Sequence, residues 1–195
     1  MINIFRKPHI IIIVLFINIL HSKINSDIER FGYTKELILE NFDKNHLNWV
    51  IVDDRVMGGR SKGNFFIRDL NKAEFSGNLS LKNNGGFSSA RALCLKDLNK
   101  IKIIKLRVKG DGRKYSFRVK TNLNNWTNYS HSFTTLNNKW QIIELMVRDF
   151  YPTYRGTYLN NFPNLSELAV NEVGVMLSDK KEGKFRLIID WIKIQ

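Results

Sequence analysis

Residues Ile101-Lys102-Ile103-Ile104-Lys105-Leu106-Arg107-Val108-Lys109, then Gly110-Asp111-Gly112-Arg113, then Lys114-Tyr115-Ser116-Phe117-Arg118-Val119-Lys120, read as two β-strands joined by a turn. In the second run Tyr115, Phe117 and Val119 alternate with Lys114, Ser116, Arg118 and Lys120, the period-2 signature of a strand with one buried face. The first run alternates in the same way, with one break in phase at Ile104. An Asp-Gly step between two such runs predicts a hairpin. Outward from this pair, short apolar runs recur at 37–42, 49–52, 64–68, 72–77, 79–82, 87–95, 130–135, 140–147, 173–177 and 185–192. Turn residues separate them about every 8 to 12 positions, the spacing of an all-β sandwich or barrel. The last run is apolar on both parities, which predicts a strand buried on both faces in the middle of a sheet. One short helix, of one or two turns, is expected at 164–169.

A chain of 195 residues suits one domain with a substantial core. Its 43% apolar and 12% aromatic content excludes a disordered chain. The formal charge of +13 comes from lysines and arginines dispersed through nearly every segment. That dispersion reads as a solvated surface; no basic helix or aromatic platform argues for nucleic acid. The single cysteine, Cys94, excludes an intrachain disulfide framework, and its small apolar neighbours predict a buried thiol. Arg6-Lys7 and the apolar run 10–20 resemble a secretory signal, too short for a membrane span of about 20 residues. The expected organisation is a signal peptide or signal anchor at 1–22, a linker at 23–36 and one β-domain at 37–195. The chain is then exported, and touches a membrane only through an uncleaved N-terminal segment.

Two stretches pair glycines with polar residues: Asp54-Arg55-Val56-Met57-Gly58-Gly59-Arg60-Ser61 and Asn83-Asn84-Gly85-Gly86-Phe87-Ser88-Ser89-Ala90-Arg91. Adjacent glycines mark positive φ or close backbone approach, so tight turns are expected at both. Aromatic and amide residues fill 122–129 and 149–163, where Pro152 and Pro163 break any strand. If these loops and the glycine turns share one end of a sandwich, Trp126 and Tyr154 offer flat faces and Arg155 a fixed polar contact. Such an inventory suits a protein or a sugar. No catalytic constellation is visible. The histidines at 9, 21, 46 and 131 lack metal-ligand spacing, and no nucleophile elbow, phosphate loop or zinc spacing occurs. Asp53 and Asp54 are adjacent, so on a strand they would face opposite ways. Asp54 could form a buried ion pair with Arg91 or Arg155; an enzyme using Asp54 and Arg91 is the least favoured reading.

Trp49, Asp54, Val56-Met57-Gly58-Gly59 and Ser61, then Phe75-Ser76-Gly77, then Asn84-Gly85-Gly86-Phe87 with Ser89 and Arg91, resemble the family of complex I intermediate-associated protein 30. Gly110-Asp111-Gly112-Arg113, Tyr115, Trp140, Tyr154-Arg155-Gly156 and Gly183-Lys184-Phe185 continue the pattern in order, so the resemblance spans 37–195. It implies a galactose-binding-domain-like jelly-roll β-sandwich. Mitochondrial members of that family are assembly chaperones of respiratory complex I; plastid members carry a nucleotide-binding domain that is absent here. The resulting expectation is a non-catalytic binding domain, without cofactor or metal, that assists assembly of a protein complex. The alternative is an exported carbohydrate-binding module. The compartment is outside the cell membrane by the N-terminal segment, or mitochondrial by the resemblance. The candidate contacts are Asp54, Met57, Gly58, Gly59, Ser61, Asn84, Gly85, Gly86, Phe87, Arg91, Trp126, Tyr154 and Arg155, with the four glycines setting backbone shape.

Overall fold

The computed structural model describes residue 23 and residues 36–44, 46–68, 70–94, 101–124 and 126–195; the signal-like segment, with its two histidines, lies outside them. Leu37–Gln195 is one compact unit. Its strands are β1 (Leu37–Glu40), β2 (Trp49–Asp53), β3 (Lys62–Arg68), β4 (Lys72–Leu79), β5 (Ser88–Leu93), β6 (Ile103–Lys109), β7 (Lys114–Thr121), β8 (Asn128–Thr134), β9 (Trp140–Met146), β10 (Tyr151–Tyr154), β11 (Thr157–Tyr158), β12 (Val170–Leu177) and β13 (Gly183–Ile194). Sheet A runs β3-β4-β13-β6-β9, with β1 also paired to β13; sheet B runs β11-β10-β8-β7-β12-β5-β2. The result is the expected all-β sandwich. Among the described residues of 37–195, helix is confined to single 3-10 turns at Asp54–Met57, Lys82–Asn84, Val147–Asp149 and Leu165–Glu167, the last where a short helix was expected.

The alternation at 101–120 does make two strands, but they are not a hairpin. β6 pairs with β13 and β9 in sheet A, whereas β7 pairs with β12 and β8 in sheet B. Gly110-Asp111-Gly112-Arg113 is therefore a crossover between sheets. Ile104, Leu106 and Val108 of β6 and Tyr115, Phe117 and Val119 of β7 are all buried in the core. Side-chain partners hold the crossover. Asp111 accepts from Tyr115 Oη at 3.1 Å and from the Arg186 amide at 2.8 Å. Arg113 forms a two-pronged pair with Asp179, at 2.6 and 2.9 Å, and donates to the carbonyls of Lys181, Gly183 and Lys184. A local turn signal could not reveal contacts about 70 residues away. With Asp179 almost buried and held by an amide from Lys181 as well, Arg113→Met is expected to destabilise by about 2 kcal/mol in urea unfolding.

Strand β13 lies centrally in sheet A, as expected, but it is not buried on both faces. Phe185, Leu187 and Ile189 face the core, a bulge shifts the register before Trp191, and Ile192 and Ile194 then take over the inward positions. The bulge moves the apolar set from one parity to the other. Cys94 is a fully buried free thiol.

Register in sheet B sorts the loops. Asp53 is opposite Ser88, Ser88 opposite Leu177, Leu177 opposite Tyr115 and Lys114 opposite Thr134, which defines one end. Leu93 opposite Glu172, Thr121 opposite Val170 and Asn128 opposite Thr153 define the other. The glycine stretches follow β2 and precede β5 at the first end. The segments carrying Trp126 and Arg155 flank β8 and β10 at the second. They do not form one surface, because every strand between them spans the sheet. Pro152, expected to break any strand, instead lies inside β10 opposite Tyr129, and β11 follows it, so 149–163 is not all loop.

Candidate functional site

Strand β2 ends at Asp53, whose carboxylate accepts from the Gly63 amide at 3.1 Å and Ser88 Oγ at 2.7 Å. Asp54 opens the following 3-10 turn with its side chain fully buried, at 0% exposure. Its Oδ1 accepts from the Ser61 amide at 2.8 Å. Its Oδ2 accepts from Ser61 Oγ at 2.5 Å, the Gly86 amide at 2.6 Å and the Phe87 amide at 3.3 Å. The Asp54 amide in turn donates to the Phe87 carbonyl at 3.2 Å. One carboxylate thus staples the two glycine stretches together, and Asn83 adds a bond to the Gly58 carbonyl at 3.1 Å. The two neighbouring aspartates serve separate hydrogen-bond sets. Burial alone would raise the Asp54 pKa. Hydrogen bonds from the Ser61 hydroxyl and the Gly86, Ser61 and Phe87 amides outweigh burial and hold it below the ordinary 3.8.

The glycines answer to this carboxylate. A Cβ on Gly85 would sit 2.5 Å from Asp54 Oδ2, and one on Gly59 would overlap the same carboxyl group. Gly58 and Gly86 take φ of +88° and +121°, values that L side chains rarely adopt. Ser61 is buried with Asp54, so neither faces solvent. The staple leaves two apolar tips exposed, Val56 at 72% and Met57 at 56%, on loops that also expose Leu81, Arg55, Arg60, Lys82, Asn83 and Asn84.

The anticipated ion pair of Asp54 does not form. Asp54 points inward onto amides, whereas Arg91 stands on the outer face of β5, 3.9 Å from Glu172. Arg155 lies at the opposite end, its guanidinium 5.4 Å from the Tyr154 ring centre. Asp54 lies in the turn beyond the end of β2, whereas Arg91 lies within β5 opposite Val50. At that opposite end Trp126 meets Tyr154 edge-on at 5.3 Å and Phe162 at 5.7 Å, with Trp126 45% and Tyr154 39% exposed. Phe87 is half-buried beneath the glycine loops. Among the described residues no cluster of His, Cys, Asp and Glu is placed to hold a metal, and no helix is long and apolar enough to cross a membrane.

The model of the complex I intermediate-associated protein 30 family matches residues 40–189. The chain belongs to this family. An uncharacterized protein of Schizosaccharomyces pombe is 28% identical over 164 residues, covering 73% of this chain and 75% of that one. A probable mitochondrial complex I intermediate-associated protein 30 of Caenorhabditis elegans is 27% identical over 147 residues, 65% of this chain but only 43% of that protein. Among solved structures, the family 11 carbohydrate-binding module of a cellulosomal cellulase of Clostridium thermocellum superposes with a TM-score of 0.60 at 19% identity, covering 83% of this chain and 94% of the module. The same module in complex with a mixed-linked tetrasaccharide gives 0.58. At this identity the likeness establishes the sandwich fold.

Sequence reasoning singled out Asp54 and the glycines but not how they act. It overlooked Arg118, Glu172 and Met176, which share the outer face of sheet B with Arg91. Gly174, a glycine inside a strand, was the available signal there.

Proposed function

We propose that this protein is a non-catalytic binding module of assembly-factor type, docking on a protein partner through its paired glycine loops. The observation that carries the reading is the Asp54 staple, which fixes both loops and leaves Val56 and Met57 projecting into solvent. A rigid loop with apolar tips binds without a large ordering cost, and adjacent apolar anchors are the usual centre of a protein interface. Family membership supports the same reading, since one relative is named for complex I intermediates. The partner is then a subunit or intermediate of a membrane respiratory complex, met in the mitochondrion or, if the N-terminal segment directs export, on the far side of a cell membrane. Affinity capture from native membranes is expected to recover one stoichiometric partner; recovery of none across several detergents would refute the proposal.

A second reading, an exported carbohydrate-binding module, draws on the exposed Trp126–Tyr154 corner and on the fold it shares with such modules. It predicts glycan binding that Trp126→Ala weakens at least about tenfold, as expected for loss of a stacking aromatic. A glycan array on both proteins decides it, and an unaffected or absent signal removes this reading.

A further inference from the structure

The outer faces of the two sheets differ in how their arginines are neutralised. On sheet A every well-placed guanidinium has a carboxylate: Arg68 and Arg186 share Glu74, and Arg107 pairs with Asp190, which Lys72 also approaches at 3.5 Å. That face is a closed network. On sheet B, Arg91 of β5 and Arg118 of β7 are both registered opposite Gly174 of β12, so the two cations flank a glycine across three strands. With strands spaced about 4.8 Å apart, their Cα atoms lie roughly 10 Å apart. Gly174 lets the backbone of β5 and the stem of Arg91 pack closely against β12; a Cβ there would stand 2.7 Å from the Ala90 carbonyl oxygen and 3.2 Å from Arg91 Cγ.

Arg118 has no carboxylate among its hydrogen bonds. Its Nη1 donates to the thioether of Met176 at 2.9 Å, and its buried Nε donates to nothing. A thioether is a weak acceptor, and a half-buried guanidinium with an unused N–H is a costly residue in a strand. Burial, and next the charge of Arg91, pull its pKa down to about 10; Glu172 and the Tyr151 hydroxyl offset this in part. Arg91 donates its Nε to Ser89 Oγ at 3.0 Å and reaches Glu172 only at 3.9 Å. Two cations thus face one acid across the notch.

Hydroxyls continue from the notch. Ser116 contacts Ser132 at 3.3 Å and Ser132 contacts the Tyr151 hydroxyl at 3.4 Å, well beyond the usual O–H···O distance of about 2.8 Å, so these groups are only loosely engaged. The Tyr151 and Tyr158 rings, 6.3 Å apart, border that side. On the other side a cleft of about 430 Å³ opens beside Arg91 and Glu172, between Val50 and Leu93. A surface combining two guanidinium groups that share one acid, loose hydroxyls and edge aromatics matches a flat polyhydroxylated ligand that carries a carboxylate.

We propose that Arg91 and Arg118, on either side of Gly174, form a binding site for the carboxylate of an acidic saccharide. The oxyanion sits between the two guanidinium groups and accepts from their outward N–H groups, while the sugar hydroxyls meet Ser116, Ser132 and Tyr151. The site is on the face of sheet B, separate from the glycine loops at its end. Its occupation is therefore independent of the docking role proposed above.

The test is isothermal titration of the full chain with three probes at fixed salt: a galacturonate hexamer, its methyl ester and hexaglutamate. The galacturonate hexamer is expected to bind, the ester at least about tenfold more weakly, and Arg118→Met to lose at least tenfold while Lys139→Met, on an exposed surface lysine, loses less than twofold. The melting temperature of Arg118→Met is expected to hold or rise, because the change removes an unpaired cation. Unchanged binding in Arg118→Met, or an equal loss in Lys139→Met, would overturn the site. A marked fall in melting temperature would assign Arg118 a structural role instead. Hexaglutamate binding as tightly with the same dependence on Arg118 would overturn the saccharide assignment. NMR of the arginine Nε–H resonances needs no variant: the Arg118 signal should shift on titration with the hexamer, and a static signal contradicts the proposal.

Discussion

Asp54→Asn is expected to destabilise the protein by about 4 kcal/mol at pH 7 and to lower its melting temperature by about 10 °C. Asparagine keeps the shape of the side chain but replaces one acceptor oxygen with an NH2 group. If the amide nitrogen takes the place of Oδ1 it faces the Ser61 amide; if it takes the place of Oδ2 it faces three donors, the Ser61 hydroxyl and the Gly86 and Phe87 amides. Either arrangement removes charge-assisted bonds and strands at least one buried N–H, each change contributing about 2 kcal/mol. The sign of the pH dependence follows from the depressed Asp54 pKa. A carboxylate whose folded pKa lies below its unfolded value stabilises fully above that unfolded value, and the contribution disappears as pH falls through the folded pKa. The difference between wild type and Asp54→Asn, measured by urea unfolding, should therefore be largest near neutrality and shrink below the ordinary 3.8. A difference that stayed constant down to pH 2 would show that Asp54 acts through shape alone.

The second large effect concerns binding. Val56→Asp with Met57→Asp is expected to weaken the captured partner at least about a hundredfold, or roughly 2.7 kcal/mol, while shifting the melting temperature by no more than about 2 °C. The stability forecast rests on exposure: these side chains project from the 3-10 turn into solvent and contribute little to the core. The affinity forecast rests on placing two charges at the centre of an apolar contact, where they would lose water without gaining a partner. Surface plasmon resonance with the recovered partner separates the two. Equal weakening accompanied by unfolding would remove the argument, and unchanged affinity would move the interface elsewhere.

Most strands were legible because alternation is a local property, and the buried faces of β6 and β7 follow it closely. Their pairing was not, because Asp111 and Arg113 find their partners at 179–186, beyond the reach of an Asp-Gly turn signal. Strands β10 and β11 were not legible either, since Pro152 reads as a breaker although the structure holds it inside β10. The bulge in β13 was written as apolar residues on both parities, a pattern that strands buried on two faces also produce. Asp54 and its glycines were conspicuous in the sequence. The reason for them was hidden, since the carboxylate's donors lie 7, 32 and 33 residues away and the absence of Cβ at Gly59 and Gly85 matters only once that carboxylate is placed. Placing the aromatic loops with the glycine loops failed because it assigned loops to ends without strand register. Arg118 looked like any outward cation of an alternating strand. Only the tertiary arrangement distinguishes sheet A, where carboxylates answer the arginines, from sheet B, where Arg118 hydrogen-bonds to a thioether instead.

The central claim, that the glycine-loop end is the docking surface, is tested most directly by placing a photo-crosslinking side chain at Met57 and, separately, at Trp126, in the full chain within native membranes. The account predicts one dominant cross-linked protein from position 57 and none from position 126. Cross-linking from position 126 alone, or equally from both, would contradict it.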